Sequence, residues 1–268
     1  ADTIENQLNA GKFVVESVKT GKRKPKPYAP FTTSSLQQDA SIKLNFQTKK
    51  TMQIAQQLYE GIEVKGIGTR GLITYLRTDS VRISSAAKEA ASVFITNKFG
   101  KEYSSNNSFS NKNKDIQDAH EAIRPTDVNL EPEAIRDSLT SDQFKLYTLV
   151  WNRFVASQMA AAEFDTVTVI IDNNGYEFRS SGSRLVFDGW RRVYPIASEK
   201  DSYVPELKKG DELKCIEIVK EQKFTQPPAR YTEAGLVKEM EEKNIGRPST
   251  YSAIITTLTG RRYVTREK

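Results

Sequence analysis

Hydrophobic positions along this chain follow two rhythms. Near the start, in "KFVVESV", β-branched and aromatic residues alternate with polar ones. The same alternation returns from "TVTVIIDNNGYEF" through "RLVFDGWRRV" to "LKCIEIVKEQKF", and both regions predict half-buried strands. Asn174-Gly175 is a hairpin-turn sequence. Between these regions the period lengthens to that of a helix. In "KKTMQIAQQLYEGI" the residues Met52, Ala55, Leu58, Tyr59 and Ile62 recur at helical spacing. In "SDQFKLYTLVWNRFVASQM" the set is Phe144, Tyr147, Trp151, Phe154 and Val155, with Ser141 expected as the cap.

The order strand, helical block, strands predicts an α+β protein in which a helical domain is inserted into a β domain. An internal echo adds to this. "PYAPFTTSSL" and "PPARYTEAGL" align so that Phe31 meets Tyr231, Thr32 meets Thr232, Leu36 meets Leu236, Ile54 meets Ile254 and Leu58 meets Leu258. Each copy reads as a Thr-capped helix, a turn, and a second helix starting near Lys49 or Pro248. Each then runs towards a β-branched segment, "GLITYLR" or "RRYVTR". That is the outline of a winged-helix element. The expected boundaries are 1–31 and 162–230 for the two parts of the β-rich domain, 32–161 for the helical insertion, and 231–268 for a partial second winged-helix-like unit. An insertion has two connections to its parent and could swing as a unit.

With 268 residues and 37% hydrophobic content the chain can bury a core. No run approaches the roughly 20 apolar residues of a membrane span, and the start lacks a secretion signal, so no membrane partner and a cytoplasmic location are expected. The lone Cys215 cannot close an internal disulfide. A formal charge of +6 fits a polyanionic partner without requiring one. The abrupt ends suggest a piece of a longer chain.

Three strings carry candidate chemistry. "GLITYLRTDS" sets Tyr75 two residues before Arg77, so an extended backbone would present both on one side. A phenolate there could attack phosphorus while the guanidinium neutralises the non-bridging oxygens. A half-buried strand tyrosine beside a solvated arginine is the plainer alternative. "DAHEAIRPT" holds the only histidine, His120, four residues from Arg124, and a short helix ended by Pro125 would put both on one face. "NIGRPSTYSAII" predicts a tight turn at Gly246 and a helix N-terminus rich in phosphate donors, with Arg247, Ser249 and Thr250.

Together the strings resemble the type IA DNA topoisomerases, and among them the bacterial topoisomerase I branch. The resemblance covers nearly the whole chain, including "APFTTSSLQQDAS" and "FTQPPARYTEAGLVKEMEEKNIGRPSTY". It implies that Tyr75 is the nucleophile forming a 5′-phosphotyrosine link and that Arg77 is its transition-state partner. Thr74, His120, Arg124, Gly246, Arg247, Ser249, Thr250 and Tyr251 would contact DNA. Leu76 is a mild departure, since methionine is usual there.

The resemblance further implies that this is the central gate of a monomeric, ATP-independent isomerase acting on single-stranded DNA and relaxing negative supercoils. Magnesium would be held by a Toprim domain elsewhere in the polypeptide, with none bound by these residues. The fragment alone is expected to bind single strands without relaxing supercoils, and a nucleoid-associated location follows. Three other readings stay open: a winged-helix DNA-binding module without catalysis, an inert scaffold, and a tyrosine recombinase. The last is disfavoured by the single histidine and the early tyrosine.

Overall fold

The computed structural model describes residues 2–110, 120–196 and 201–267. It divides into two units. One is formed by the chain up to Lys26, Ala161–Gly189 and Pro195–Pro228; the other by Pro27–Ala160, Trp190–Tyr194 and Ala229–Lys268.

The first unit is an antiparallel sheet with one helix. Numbered in chain order, α1 (Asp2–Ala10) leads into β1 (Phe13–Arg23), and the chain returns as β4 (Glu163–Asn173), β5 (Tyr176–Phe187) and the short β6 (Glu212–Leu213). The sheet order is β5-β4-β1-β6. β4 and β5 form the expected hairpin, with Asn174 at φ 52° and Gly175 at φ 81°. Both central residues must be left-handed for a two-residue turn to match the strand twist. α1 is tied to this turn by the buried Asn173 amide, which donates to the Leu8 carbonyl at 2.9 Å.

One strand expectation fails. Of "LKCIEIVKEQKF" only Leu213 is paired, and residues 214–231 carry no regular secondary structure. Ile216, Val219 and Phe224 are exposed. β6 meets β1 only at Phe13 and Val14. Alternation makes a strand only where a neighbouring edge takes up its hydrogen bonds and a core its apolar face.

The second unit contains α2 (Thr33–Leu44), α3 (Thr48–Glu60), β2 (Ile62–Val64), β3 (Gly68–Arg70), α4 (Ser85–Phe99), α5 (Ser141–Ser157), α6 (Glu233–Glu242) and α7 (Tyr251–Gly260). Thr32 caps α2 in a reciprocal capping box with Ser35, and Thr232 caps α6 by accepting the Gly235 N–H. α5 is capped by Thr140, one residue earlier than expected, because the Gln143 side chain can return to the Thr140 N–H and complete a capping box.

The echo corresponds to two helix pairs, α2/α3 and α6/α7. Only the first pair continues into a hairpin, β2–β3; residues 261–267 form turns and irregular chain. The hairpin lies before "GLITYLR", not within it. The two pairs meet through polar bonds. Glu241 accepts the Ser34 hydroxyl at 2.7 Å. Glu233 accepts the Thr48 N–H at 3.3 Å, capping α3 where Gln47 makes no side-chain cap.

α5 runs through the core and buries Leu146, Tyr147, Val150, Trp151 and Phe154. Its Arg153 is nearly buried. Nε donates to the Ala29 carbonyl at 2.6 Å, Nη1 reaches Asp39 at 3.3 Å, and the guanidinium stacks 4.7 Å from the Tyr28 and Phe31 ring centres. The Tyr194 hydroxyl also donates to Asp39. A charge held this way is paired on its rim and covered on its faces.

Burial, with the charge of Asp39 or Asp127 nearby, pushes the Tyr194 and Tyr147 phenols well above their ordinary 10.0. The unfolded chain releases these protons near pH 10, and the folded chain only at higher pH. Their contribution to stability is present below pH 10 and lost as pH rises above it. Thermal unfolding followed by circular dichroism should therefore shift to lower temperature above about pH 10, and less steeply in the Tyr147→Phe/Tyr194→Phe variant.

Candidate active site

Residues 71–80, expected as a strand, form an irregular loop crossing the end of α3. Gly71 permits the crossing, since a Cβ there would lie 2.6 Å from the Tyr59 carbonyl oxygen. The Leu72 N–H donates to the Leu58 carbonyl at 2.7 Å, and the Thr126 N–H to the Leu72 carbonyl at 3.0 Å. Ile73 bridges Pro125 and Phe31 bridges Ile123 as isolated pairs. A longer ladder cannot form there because Pro125 lacks an N–H. Leu72, Ile73 and Leu76 are buried, so the loop is part of the core.

Segment 121–125 is extended instead of helical, which corrects the expectation that His120 and Arg124 share a helix face. Asp118 and Ala119 of that string lie outside the described residues. The cause is Thr74. Its hydroxyl donates to the Ala122 carbonyl at 2.7 Å and accepts the Arg124 N–H at 3.0 Å, while its own N–H donates to the Arg124 carbonyl at 2.9 Å. These bonds take backbone groups a helix would need. Thr74, expected as a DNA contact, has its hydroxyl occupied within the fold.

Tyr75 is half-buried. Its ring packs edge-on to Tyr59 at 5.5 Å and tilted against the exposed His120 at 4.8 Å. Among the described residues its hydroxyl has no hydrogen-bond partner. The Arg124 side chain is 13% exposed. Its Nε donates to Glu121 at 2.7 Å and Nη1 to the Pro125 carbonyl at 2.9 Å. Burial works to raise the Glu121 carboxyl, but the hydrogen bond and charge of Arg124, with bonds from Ser84, outweigh it and hold the group below the ordinary carboxylate value. Arg124 therefore reaches the site already neutralised.

Arg77 is exposed and lines an open groove of about 1440 Å³ between α3 and the start of α7. Lys49, Lys50, Gln53, Ser249 and Ser252 share that lining, with Glu60 and Asp142 as its acids. Lys50 pairs with Asp142 at 2.8 Å. The loop turns between Tyr75 and Arg77, so the phenol lies against His120 while Arg77 opens into the groove with Ser249.

The third string forms the turn before α7. Gly246 sits at φ 82°, and a Cβ there would lie 2.9 Å from Ile254 Cδ1 and 3.0 Å from Thr250 Oγ1. The Arg247 carbonyl accepts from the Thr250 and Tyr251 N–H groups, which leaves Pro248 at the head of the turn and starts the assigned helix at Tyr251. Arg247 and Ser249 are exposed; the Thr250 hydroxyl accepts the Arg247 N–H at 2.8 Å. Tyr251, expected to touch DNA, is instead buried with Val237, Met240 and Ile255. Burial and the Glu241 charge raise its phenol.

A family model described as DNA topoisomerase matches residues 1–268. The chain belongs to the type IA DNA topoisomerase family. Among solved structures, full-length topoisomerase I from Thermotoga maritima, in a monoclinic crystal form, is similar at 40% identity with a TM-score of 0.86. That match covers 100% of this chain and 44% of the Thermotoga chain, so this chain spans less than half the length of that relative. No helix among the described residues is long and apolar enough to cross a membrane.

Sequence reading missed Thr33, Tyr59, Gly71 and Thr126, which hold the tyrosine loop. The signals were faint: a second threonine in "FTTSS" and a glycine before "LITY"; Tyr59, expected in the apolar stripe of α3, is instead exposed. Gly71→Ala should lower stability by about 1–3 kcal/mol, because the new Cβ would press on backbone that has no rotamer to give. Denaturant unfolding midpoints of the two proteins check this.

Proposed function

We propose that this chain is the central gate of a longer type IA topoisomerase, in which Tyr75 cleaves one DNA strand transiently. One observation carries the reading. Tyr75 holds a hydroxyl with no hydrogen-bond partner among the described residues, on a loop whose backbone is tied down, two residues from an arginine that opens into a groove. The Tyr147 hydroxyl, by contrast, donates to the Leu130 carbonyl at 2.7 Å.

In the proposed step the Tyr75 oxygen attacks phosphorus, a new O–P bond forms, and the bond from phosphorus to the 3′ oxygen breaks. The phenol loses its proton and the departing 3′ oxygen gains one, so the products are a 5′-phosphotyrosine and a 3′ hydroxyl. Attack by that hydroxyl reverses the step, and the exchange of one phosphodiester for another needs no ATP. Arg77 offers its guanidinium fork to the non-bridging oxygens, where it can act on charge that grows in the transition state. His120 shapes the space around the phenol from the other side. Arg247 and Ser249 supply contacts to the strand backbone, and Arg124 supports the loop as an ion-paired residue more than as a free cation.

In this reading the helical body swings to let another strand through. The pair α2/α3 followed by a hairpin fits a winged-helix element, which as a DNA-binding module without catalysis is the other reading. Among the described residues no three His, Cys, Asp or Glu side chains gather as a metal site. In this reading magnesium is held by the Toprim domain. A monomer working on single-stranded DNA in the cytoplasm, at the nucleoid, completes the reading.

The test combines this chain with the Toprim-bearing segment, magnesium and end-labelled single-stranded DNA. A denaturation-resistant adduct should form and be absent in Tyr75→Phe. Arg77→Ala should lower its rate by about 10²- to 10³-fold, the cost of one charge-stabilising donor. An adduct that survives Tyr75→Phe would sink the proposal, and full DNA binding without any adduct would favour the binding module.

The chain alone should bind single strands with affinity that falls steeply with salt, by about 0.7 in log–log slope per phosphate neutralised. Fluorescence anisotropy between low and physiological salt measures this. Salt-insensitive binding would argue against a phosphate groove.

A further inference from the structure

We infer that Thr33, in the first turn of α2, is a positioning residue for Arg77. The inference rests on the role given to Arg77 above. Thr33 is fully buried. Its hydroxyl donates to the Leu76 carbonyl at 2.7 Å, with the Thr78 carbonyl at 3.1 Å, and accepts the Thr78 N–H at 2.9 Å. Its own N–H donates to the Thr78 carbonyl at 2.9 Å. One side chain thus holds the residue before Arg77 and the residue after it.

Among the described residues Arg77 has no hydrogen bond or ion pair, and its backbone sets where its guanidinium starts. That makes the Thr33 bonds decisive for where the charge starts. The polar ladder continues outward from the same point, with the Thr78 hydroxyl accepting the Ser80 N–H at 3.0 Å and the Ser80 hydroxyl accepting the Arg82 N–H at 3.1 Å. A threonine deep in a helix usually turns its hydroxyl back to a carbonyl of the preceding turn. At the first position of α2 no such helical carbonyl exists, which leaves the hydroxyl free to bond outside the helix. Its β-branch stiffens the side chain and keeps it pointing there.

Removing this hydroxyl leaves the Leu76 carbonyl and Thr78 N–H to find other partners, and Arg77 moves with them. A displacement of about 1 Å at a charge-stabilising group is enough to cost a large factor in rate. Binding of the DNA strand draws on many phosphate contacts and should hardly notice.

The experiment compares Thr33→Val and Thr33→Ser in the longer enzyme of which we propose this chain is the gate. Thr33→Val should slow adduct formation by about tenfold or more while single-strand affinity changes by less than about twofold. Thr33→Ser, which keeps the hydroxyl, should restore most of the rate. In an Arg77→Ala background Thr33→Val should cost nothing further, because the group it positions is gone. Circular dichroism confirms folding, and Thr33→Ala replaces the valine variant if that one does not fold, with the same expectation.

Unchanged adduct formation, or losses that simply multiply with Arg77→Ala, would overturn the inference while leaving the role of Tyr75 and Arg77 standing. Equal losses in the serine and valine variants would assign the effect to packing and overturn it too. Adduct formation insensitive to both Tyr75→Phe and Arg77→Ala would mean that the reading of the site itself had failed.

Discussion

A buried loop without regular secondary structure must still pair its backbone N–H and carbonyl groups, and here that demand falls on three threonines. Residues 72–78 pack Leu72, Ile73 and Leu76 into the core, where an unpaired peptide group would cost about 1–3 kcal/mol. Thr74 binds the loop to 122–124, Thr126 donates to the Gly71 and Leu72 carbonyls at its start, and Thr33 binds it to α2. The result is an irregular backbone as well determined as a strand. Its polar residues can then be aimed in different directions, which a strand with period two does not allow.

Charge is distributed around this loop with the same economy. Arg124 is neutralised by Glu121 and bonded to a neighbouring carbonyl, and Arg153 is buried among aromatic rings with Asp39. Both serve the fold. Arg77, Arg247 and Lys49 are exposed, and the first and last line the groove. Burial thus separates cations paired within the fold from cations left at the surface.

The two helix pairs show how one local pattern gives different outcomes. Both begin with a threonine cap, and both place Leu36 or Leu236 and Ile54 or Ile254 at matching points. The first pair joins the main core and runs on into a hairpin. The second keeps a small core of Val237, Met240, Tyr251 and Ile255 and is fastened to the first by carboxylates, Glu233 on the start of α3 and Glu241 on Ser34.

Local rules made much of this legible in the sequence. Helices α3 and α5, the β4–β5 hairpin at Asn174-Gly175, the Thr32 and Thr232 caps and the likeness of the helix pairs all depend on neighbours within a few residues, so periodicity and capping chemistry reveal them. The family was legible as a resemblance of motifs. What the sequence could not contain is which distant groups complete each hydrogen bond. Thr74 opposite Ala122 and Arg124 turned an expected helix into an extended segment, Pro125 cut an expected strand short, and the missing partner edge left Ile216 and Val219 in solvent. The division of Tyr75 towards His120 and of Arg77 towards the groove was likewise decided by tertiary structure. Propensity acts over a turn of chain, whereas satisfying a buried peptide group requires whichever partner the fold brings within three ångströms.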